Sequence, residues 1–261
     1  MQTEELLISI VTYNSKEMFR VLDNLRETLA TSNFHRIVIF DNHSEPAYQD
    51  KLREYEDIAA IHFHESNEGF GFGHNYNLLE ASAPYYLILN PDVIITKQAL
   101  EELLALIKTE SDIGLVVPRV LYPDGTPQYL IRERVSVFDY ALRFVPFNWV
   151  KKLFDKRLAS YECRDLPTDR VSQVRIGSGC CMLVRQEAFQ AVGGFDPRYF
   201  MYFEDYDLCL ELGKKNYRIL YTPMTTIFHY YGKAAHKSYA MFKIFMRSMR
   251  QFFSKWGWKV F

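Results

Sequence analysis

The sequence predicts an α/β protein whose first half is a mainly parallel sheet flanked by helices. Short apolar runs that fit buried strands recur through residues 1–118, and segments with helical apolar spacing lie between them. Polar residues follow directly after several of these runs. Strands that alternate with helices form parallel sheets, because each helix returns the chain to the same edge.

The first strand is predicted at residues 6–12 (LLISIVT), a continuous apolar run with β-branched side chains. Asn14 and Ser15 are then expected to cap a helix whose apolar residues recur at 18, 19, 22, 25 and 29. The later elements of this half are predicted in the same way: strand 36–40, helix 47–56, extended segment 58–64, a helix from the loop NEGFGFGHN to Ala81, strand 85–89, helix 97–108 and extended segment 114–118.

The second half of the chain is less regular. YPDG at 122–125 is a turn signal, and residues 128–169 mix basic and aromatic side chains without a clear period. After them we expect an extended segment at 174–184, a short helix that ends at Gly193 and Gly194, a helix at 205–215 and a strand at 218–221.

The composition is that of an ordinary globular protein. Of the 261 residues, 48% are hydrophobic and 24% are charged, which is enough material for a large core. The net charge of −1 gives no overall field that favours nucleic acid, so no nucleic-acid partner is expected. From Leu212 to Phe261, however, ten Lys and Arg residues occur without any Asp or Glu, which indicates an anionic partner for that end.

Cysteine usage and the chain start indicate the compartment. The four cysteines, at 163, 180, 181 and 209, lack C-x-x-C spacing and are expected to be buried thiols in a reducing environment. Residues 1–5 show no signal-peptide pattern, and no run of eighteen uncharged apolar residues occurs. These observations predict a cytoplasmic protein.

Polar residues at strand ends form the first candidate site. Asp41, Asn67 and Asp92 each follow a predicted strand, and ligands of parallel α/β sheets bind at that edge. Asp92, in LNPDV, either binds Mg²⁺ or Mn²⁺ together with phosphate oxygens or caps a turn. Asp41, in FDNHSEP, either accepts a hydrogen bond from the imide of uracil or thymine or serves an ordinary Asx turn. Tyr13, in VTYN, either stacks on a base or packs.

The glycine-rich loop disfavours one cofactor class. GFGFG lacks the G-x-G-x-x-G spacing and the later acidic residue of a nicotinamide site. Its glycines still allow the backbone to approach a ligand closely.

The stretch MYFEDYDLC, residues 201–209, sets three acids among aromatic side chains. Asp207 suits the first turn of a helix, where acids complement the helix dipole. Glu204 and Asp205 are better explained as a catalytic pair, because adjacent carboxylates in a partly apolar wall raise one pKa toward that of a general base. His229 is a core histidine unless the fold brings it to Asp92, in which case the two form a metal-binding set.

Seven segments, taken in order, resemble glycosyltransferase family 2 and most of all its rhamnosyltransferase-like bacterial members. They are SIVTYNS, FDNHS, NEGFGFGHN, LNPD, GSGCCMLVR, GGFDPRYFMYFEDYDLCLEL and FHYYGKA. The resemblance spans residues 8 to about 238 and implies a GT-A fold, a nucleotide-diphosphosugar donor, a divalent cation (Mg²⁺ or Mn²⁺) and inverting transfer to a hydroxyl.

The resemblance also implies residue roles. Thr12, Tyr13 and Asp41 would hold the nucleobase side of the donor. Asn90 and Asp92 occupy the D-x-D place with Asp92 as metal ligand, Asp205 matches the catalytic base with Glu204 beside it, and His229 matches the histidine that reaches the metal or the diphosphate. The complete set predicted to bind the donor is Thr12, Tyr13, Asn14, Asp41, Asn42, Asn67, Gly71, Asn75, Asn90 and Asp92.

The chain departs from the family pattern at three points. Asn90 replaces the first Asp of D-x-D, as in the rhamnosyltransferase-like members, which implies modest metal affinity. Asn77 stands where relatives often have Gly. The chain ends at Phe261, somewhat early for such enzymes, which raises the question of a missing terminal piece.

Two regions are predicted: a GT-A domain at 1–236 and a basic amphipathic helix at 237–261. The domain divides into a nucleotide-sugar half, 1–118, and an acceptor and base half, 119–236. One face of the helix carries Phe242, Phe245, Met246, Met249, Phe252, Phe253 and Trp256, with basic residues on both flanks. This pattern is typical of a helix in an anionic membrane interface, and equally of one packed on the domain.

These inferences predict a glycosyltransferase of cell-surface polysaccharide synthesis, peripheral on the inner face of the membrane. The first candidate donor is dTDP-L-rhamnose, and the acceptor is a saccharide or polyprenyl-linked saccharide. UDP-hexose or UDP-galactofuranose donors, and a non-catalytic sugar-nucleotide-binding protein, are the alternatives. A sugar nucleotidyltransferase is disfavoured because VTYNSKE lacks the glycines of a phosphate loop.

Overall fold

The computed structural model of the chain describes residues 5–30, 35–230 and 239–261. Its strands are β1 (Leu6–Thr12), β2 (His35–Asp41), β3 (Ala59–Phe63), β4 (Tyr85–Leu89), β5 (Val93–Ile94), β6 (Ile113–Leu121), β7 (Pro127–Gln128), β8 (Ser172–Val174), β9 (Cys181–Arg185) and β10 (Arg218–His229). Its helices are α1 (Met18–Leu29), α2 (Pro46–Arg53), α3 (Phe70–Leu78), α4 (Lys97–Ile107), α5 (Val137–Phe144), α6 (Asn148–Leu153), α7 (Asp155–Tyr161), α8 (Gln186–Ala191), α9 (Glu204–Lys214) and α10 (Tyr239–Trp256).

The strands form one mixed sheet in the order β3-β2-β1-β4-β9-β6-β10-β5, with β7 beside β6 and β8 beside β10. β1, β2, β3 and β4 are parallel, and β9 runs antiparallel to both β4 and β6. β10 is parallel to β6, so β9 is the one long strand of the described sheet that runs against the others. The predicted mainly parallel α/β sheet is confirmed.

Helices cover both faces of the sheet, so alternate side chains of its central strands are buried on opposite sides. Ile8 and Ile10 pack with Leu22 of α1 and Leu103 of α4. On the other face Leu7 packs with residues of α3, α8, α9 and α10. Strands buried on both faces explain the unbroken apolar runs of the sequence.

Two of the boundaries that differ from the prediction shape the rim of the sheet. Asn14 and Ser15 do not cap α1, which begins at Met18. Instead, Asn14 has a left-handed φ of 49°, and its side-chain Oδ1 accepts a hydrogen bond from the backbone of Glu45. β10 extends to His229 rather than ending near 221, because it pairs with β6 on both sides of an irregularity between Thr222 and Thr226.

The stretch without a clear period, 128–169, contains α5, α6 and α7. These helices have eight, six and seven residues, and so few turns cannot establish an apolar period. The extended segment predicted at 174–184 is two strands, β8 and β9, joined by a loop that carries Gly177 and Gly179.

Helix α10 packs on the rest of the protein. Its Phe245 and Phe252 lie against Phe203, which directly precedes α9, with ring centroids 5.4 and 5.2 Å apart. Most of the predicted apolar face is therefore buried by packing. The predicted boundary between 1–236 and 237–261 falls within residues 231–238, outside the described residues. In the described ranges no helix combines the length and apolarity needed to cross a bilayer.

Candidate active site

The ends of β1, β2 and β4 meet at one edge of the sheet, as predicted. Thr12 pairs with Asp41 in the register of β1 and β2, and the backbone N–H of Asn42 donates to the Thr12 carbonyl at 2.8 Å. The Ser15 hydroxyl donates to the Pro91 carbonyl at 3.4 Å, which joins the loop after β1 to the loop after β4. The strand ends thus form a continuous rim.

Asp41 is fully buried at this rim. Its Oδ2 accepts hydrogen bonds from the Ser44 N–H at 3.1 Å and from Gln49 Nε2 at 2.7 Å. Its Oδ1 is buried and accepts no hydrogen bond from any described residue. Tyr13 follows the neighbouring strand and is 56% exposed. Asp41 and Tyr13 thus lie at the ends of adjacent strands, and their contact with a nucleobase remains a prediction.

Three asparagines of the predicted donor set hold loops in place. Asn42 accepts from the Glu68 N–H at 3.1 Å and donates to the Gly69 carbonyl at 3.0 Å. Asn67 accepts from the Gly69 N–H at 3.1 Å, and Asn14 bonds Glu45 as described above. These side chains fix the shape of the rim.

Gly71 and Asn75 connect α3 to the segment before the acid pair Glu204–Asp205. Asn75 both donates to the Phe195 carbonyl, at 2.7 Å, and accepts from the Phe195 N–H, at 2.8 Å. A Cβ on Gly71 would lie 2.9 Å from the Cβ of Phe195, so only glycine allows this approach. The contacts give both residues a positioning role, while direct donor contact remains a prediction for them.

Asp92 and His229 are brought together by β5 and β10. His229 pairs with Val93, and the Tyr230 N–H donates to the Asp92 carbonyl at 2.8 Å. Asp92 Oδ1 lies 3.2 Å from His229 Nε2. That carboxylate oxygen is buried and accepts no hydrogen bond from the described residues.

A divalent cation fits between these two atoms. Two ligands at right angles on an octahedral ion with bonds of ~2.1 Å lie about 3 Å apart, close to the observed spacing. The described residues contain no group of three or more His, Cys, Asp or Glu side chains suited to a metal. Further ligands would therefore have to come from phosphate oxygens and water. We call Asp92 and His229 the metal pair.

The acid pair stands at the start of α9. Asp205 is half-buried, and its two oxygens accept from the Gly179 and Tyr206 N–H groups, both at 2.9 Å. A Cβ on Gly179 would lie 3.1 Å from the Cβ of Asp205, which explains a glycine there. Glu204 Oε2 is buried and accepts no hydrogen bond from the described residues.

The two acids have different electrostatic environments. Burial raises the pKa of Glu204 well above its usual value, and the Asp205 charge raises it further. Burial also raises the pKa of Asp205, to about 6, against the lowering effect of the Gly179 and Tyr206 N–H groups. The pKa of Glu204 is thus raised by both burial and the neighbouring charge, whereas N–H donors oppose the rise at Asp205, which makes Asp205 the better proton acceptor of the two.

The backbone before α9 is strained. Tyr202 and Phe203 both have a φ of 71°, a left-handed conformation that aromatic residues rarely adopt. Phe203 is held there by burial against Tyr140 and Phe245. Two consecutive strained residues next to the acid pair are typical of a functional site.

Cys180 connects the two parts of the site. Burial raises the pKa of its thiol to about 12; the Ser178 hydroxyl lowers that pKa, and the charges of Asp92 and Asp205 raise it. The Cys180 carbonyl accepts from the Asn90 N–H at 2.9 Å. The loop before β9 thus contacts both the Asn90 backbone and, through Gly179, Asp205.

Sequence reasoning missed three contributors: Gly179, Gln128 and Arg132. Gln128 bonds the ring of His229 at 2.9 Å. Arg132 is buried, and its charge lowers the pKa of Asp205. The glycines of GSGCC were a sequence signal for Gly179, whereas no local pattern in the sequence indicated Gln128 or Arg132.

Comparisons with known proteins identify the family of the chain. The family model described as Glycosyl transferase family 2 matches residues 7–193. The chain is 28% identical over 236 residues to rhamnosyltransferase WbbL of Escherichia coli K12, covering 85% of this chain and 82% of that protein. It is 29% identical over 247 residues to the N-acetylglucosaminyl-diphospho-decaprenol L-rhamnosyltransferase of Mycobacterium tuberculosis H37Rv, covering 87% and 76%.

One solved structure is similar in fold. The mannosyltransferase PcManGT from Pyrobaculum calidifontis, in complex with GDP-Man and Mn²⁺, superimposes with a TM-score of 0.62 at 16% identity. The match covers 90% of this chain but 59% of that one, so this chain spans well under two thirds of the solved protein. At this identity the likeness supports the GT-A fold.

Proposed function

The chain belongs to glycosyl transferase family 2, and from this premise we propose that it is an inverting, metal-dependent rhamnosyltransferase. Its GT-A fold and its glycosyltransferase class follow from the family; the donor, metal and stereochemistry are the proposal. The observation that carries it is that the loop 178–180 contacts both parts of the site: Gly179 bonds Asp205, and Cys180 bonds the Asn90 backbone two residues before Asp92. A single-displacement glycosyl transfer needs a cation site and a proton acceptor held in one arrangement, which this loop would provide.

The proposed donor is dTDP-L-rhamnose. The two curated relatives described above are both named rhamnosyltransferases. The buried Asp41 Oδ1 would accept the imide N–H of thymine, and the exposed ring of Tyr13 would stack on the base. Uracil presents the same imide, so UDP-hexoses and UDP-galactofuranose are the donors to compare.

Asp92 and His229 would hold Mg²⁺ or Mn²⁺. The bound cation would stabilise the negative charge that develops on the departing diphosphate. The Asn90 N–H ties the backbone of this loop to Cys180 and so restrains the segment that carries Asp92.

Asp205 would act as the general base. Its carboxylate takes the proton of the acceptor hydroxyl while the oxygen approaches the anomeric carbon to within roughly 3–3.5 Å. Such proton transfer contributes on the order of 10²–10⁴-fold to the rate. Because the oxygen arrives opposite the departing diphosphate, the anomeric configuration inverts.

We further propose a saccharide or polyprenyl-linked saccharide as acceptor, met at an anionic membrane surface. The residues that would contact lipid differ from the face predicted for 237–261, because α10 buries most of that face. Phe147, Trp149 and Leu153, in and beside α6, are 58%, 68% and 72% exposed. The rings of Phe154 and Phe261 both contact Phe138, with centroids 5.3 and 5.1 Å away, so Phe261 joins this surface.

Charge complementarity supports lipid as the occupant of this surface. Residues 147–157 carry four basic side chains and one acidic side chain. The acid, Asp155, pairs with Arg164 at 2.9 Å, and one of the basic residues, Arg157, pairs with Asp139 at 2.6 Å, so the three lysines supply the positive charge of the surface. Aromatic and leucine side chains among lysines are typical of surfaces that rest on anionic headgroups. We call Phe147, Trp149, Leu153 and Phe261 the α6 surface.

A nucleotide-release assay tests the donor and metal assignments. Purified protein is incubated with dTDP-L-rhamnose, UDP-hexoses and UDP-galactofuranose, with and without Mn²⁺ or Mg²⁺, and with a polyprenyl diphosphate-linked saccharide. We expect metal-dependent release that is fastest from dTDP-L-rhamnose. Equal release without metal, or preference for a UDP donor, would contradict the corresponding part of the proposal.

A further inference from the structure

Gln128 makes two hydrogen bonds to the same histidine. Its Nε2 donates to the His229 carbonyl at 2.8 Å, and its Oε1 lies 2.9 Å from His229 Nδ1. Gln128 is buried in the short strand β7, which pairs with β6. The Gln128 amide is therefore hydrogen-bonded to both the backbone and the ring of His229.

The orientation of this amide is determined by its surroundings. The NH₂ group faces two backbone carbonyls, of His229 at 2.8 Å and of Leu121 at 3.4 Å. A reversed amide would direct its oxygen at both carbonyl oxygens, which would repel it. The group that faces His229 Nδ1 is therefore the Gln128 oxygen, which can only accept a hydrogen bond.

The Gln128 acceptor opposite Nδ1 favours a proton on Nδ1. The Asp92 carboxylate competes for a proton on Nε2 until a cation lies beside both atoms. In the neutral ring the lone pair is then on Nε2, the atom that lies 3.2 Å from Asp92 Oδ1. A histidine that binds a metal through one nitrogen commonly has its other N–H held by such a partner.

We propose that Gln128 is a positioning residue that selects the Nδ1–H tautomer of His229 and so directs a metal-binding lone pair at the space beside Asp92. The inference deepens the proposed function, since it rests on the metal pair. It assigns to β7 the task of preparing the site before a cation binds. Gln128 itself does not touch the metal.

Two substitutions separate positioning from packing. Gln128→Leu keeps a similar volume but removes both hydrogen bonds. Gln128→Glu in its protonated form keeps an acceptor oxygen for the Nδ1–H and an O–H donor for the His229 carbonyl. Gln186→Leu is the matched control, because Gln186 also donates from Nε2 to a backbone carbonyl, of Ala81 at 2.8 Å, but lies outside the site. Circular dichroism and thermal unfolding report whether each variant folds.

The first measurement is the affinity of each variant for Mn²⁺. The electron paramagnetic resonance signal of unbound Mn²⁺ reports it, and the titration is done with the metal alone and again with dTDP present. Loss of such a partner typically weakens metal binding 10–100-fold, which we expect for Gln128→Leu. In Gln128→Glu the Mn²⁺ affinity should fall by less than about tenfold, and in Gln186→Leu it should equal that of the wild type.

The second measurement is the tautomer of His229, read from proton–nitrogen correlations of histidine-labelled protein without metal. We expect Nδ1–H in the wild type and in Gln128→Glu, and a mixture of tautomers in Gln128→Leu. A neutral ring with its only proton on Nε2 in the wild type would overturn the inference.

A His229→Ala variant separates the inference from the proposed function. If it leaves Mn²⁺ affinity unchanged, the metal pair and the inference both fail. If it weakens binding while Gln128→Leu behaves like Gln186→Leu, the metal pair stands and only the role of Gln128 is overturned.

Discussion

Lys255 near the end of α10 lies 2.8 Å from Oδ2 of Asp207, two residues after Asp205 on α9. Trp256 Nε1 donates to the other oxygen, Oδ1, at 2.7 Å. Asp207, the third acid of MYFEDYDLC, was expected only to complement a helix dipole. Its two contacts instead bind α10 to α9, the helix that carries the acid pair. The position of α10 and that of Asp205 are thereby linked.

Lys255→Met should destabilise the protein, because it leaves the buried Asp207 without its cation. Breaking a buried ion pair at one partner costs about 3 kcal/mol or more. Urea unfolding measures the change. Lys243→Met, at an exposed position of the same helix, is the control and should unfold like the wild type; a Lys255→Met protein that did the same would show that the link is weak.

Asp205→Asn should keep donor binding and abolish transfer. The amide preserves the shape of the side chain but cannot take up a proton from the acceptor, so we expect a loss of at least about 10²-fold in kcat. Calorimetry with dTDP and nucleotide release give the two quantities. Asp124→Asn, in an exposed turn, is the control, and unchanged turnover in Asp205→Asn would remove the base assignment.

The pH dependence of transfer should follow the ionisation of Asp205. Its pKa is raised to about 6 by burial, so activity should fall as the pH drops through that value and the carboxylate is protonated. The Arg132 charge lowers the same pKa, so Arg132→Met should move the fall in kcat/KM to higher pH. Arg134→Met, an exposed neighbour, should leave the profile in place; a shift toward lower pH in Arg132→Met would contradict the role of Arg132.

The sequence was informative where a signal is local. The apolar runs predicted β1, β2 and β4 nearly to the residue, and the polar residues after them predicted the rim that Asp41 and Asp92 form. The Asp92–His229 contact joins residues 137 positions apart, and it depends on β10 extending past the irregularity at Thr222–Thr226. Gln128 and Arg132 lie in a stretch without periodicity, so only the folded chain shows that they reach the site.

Asp92→Ala should weaken donor binding only when metal is present. Without its carboxylate the site retains His229 alone, which is insufficient to hold Mg²⁺ or Mn²⁺ against water. Calorimetric titration of dTDP with Mn²⁺ and with EDTA compares the wild type and the variant. Equal affinities in all four titrations would count against Asp92 as a ligand.

Membrane binding should depend on the α6 surface and on lipid charge. Trp149→Ser with Leu153→Ser removes two exposed apolar side chains, each worth ~1.5–3 kcal/mol when fully buried, so partitioning should fall by about tenfold or more. Co-sedimentation with phosphatidylglycerol-containing and pure phosphatidylcholine vesicles measures it, and the wild type should prefer the anionic vesicles. Met224→Ser, also an exposed apolar residue, is the control. The lipid assignment fails if the wild type binds neither kind of vesicle. It also fails if sedimentation velocity shows a wild-type dimer that the double variant does not form, because the α6 surface would then bind a second copy of the protein.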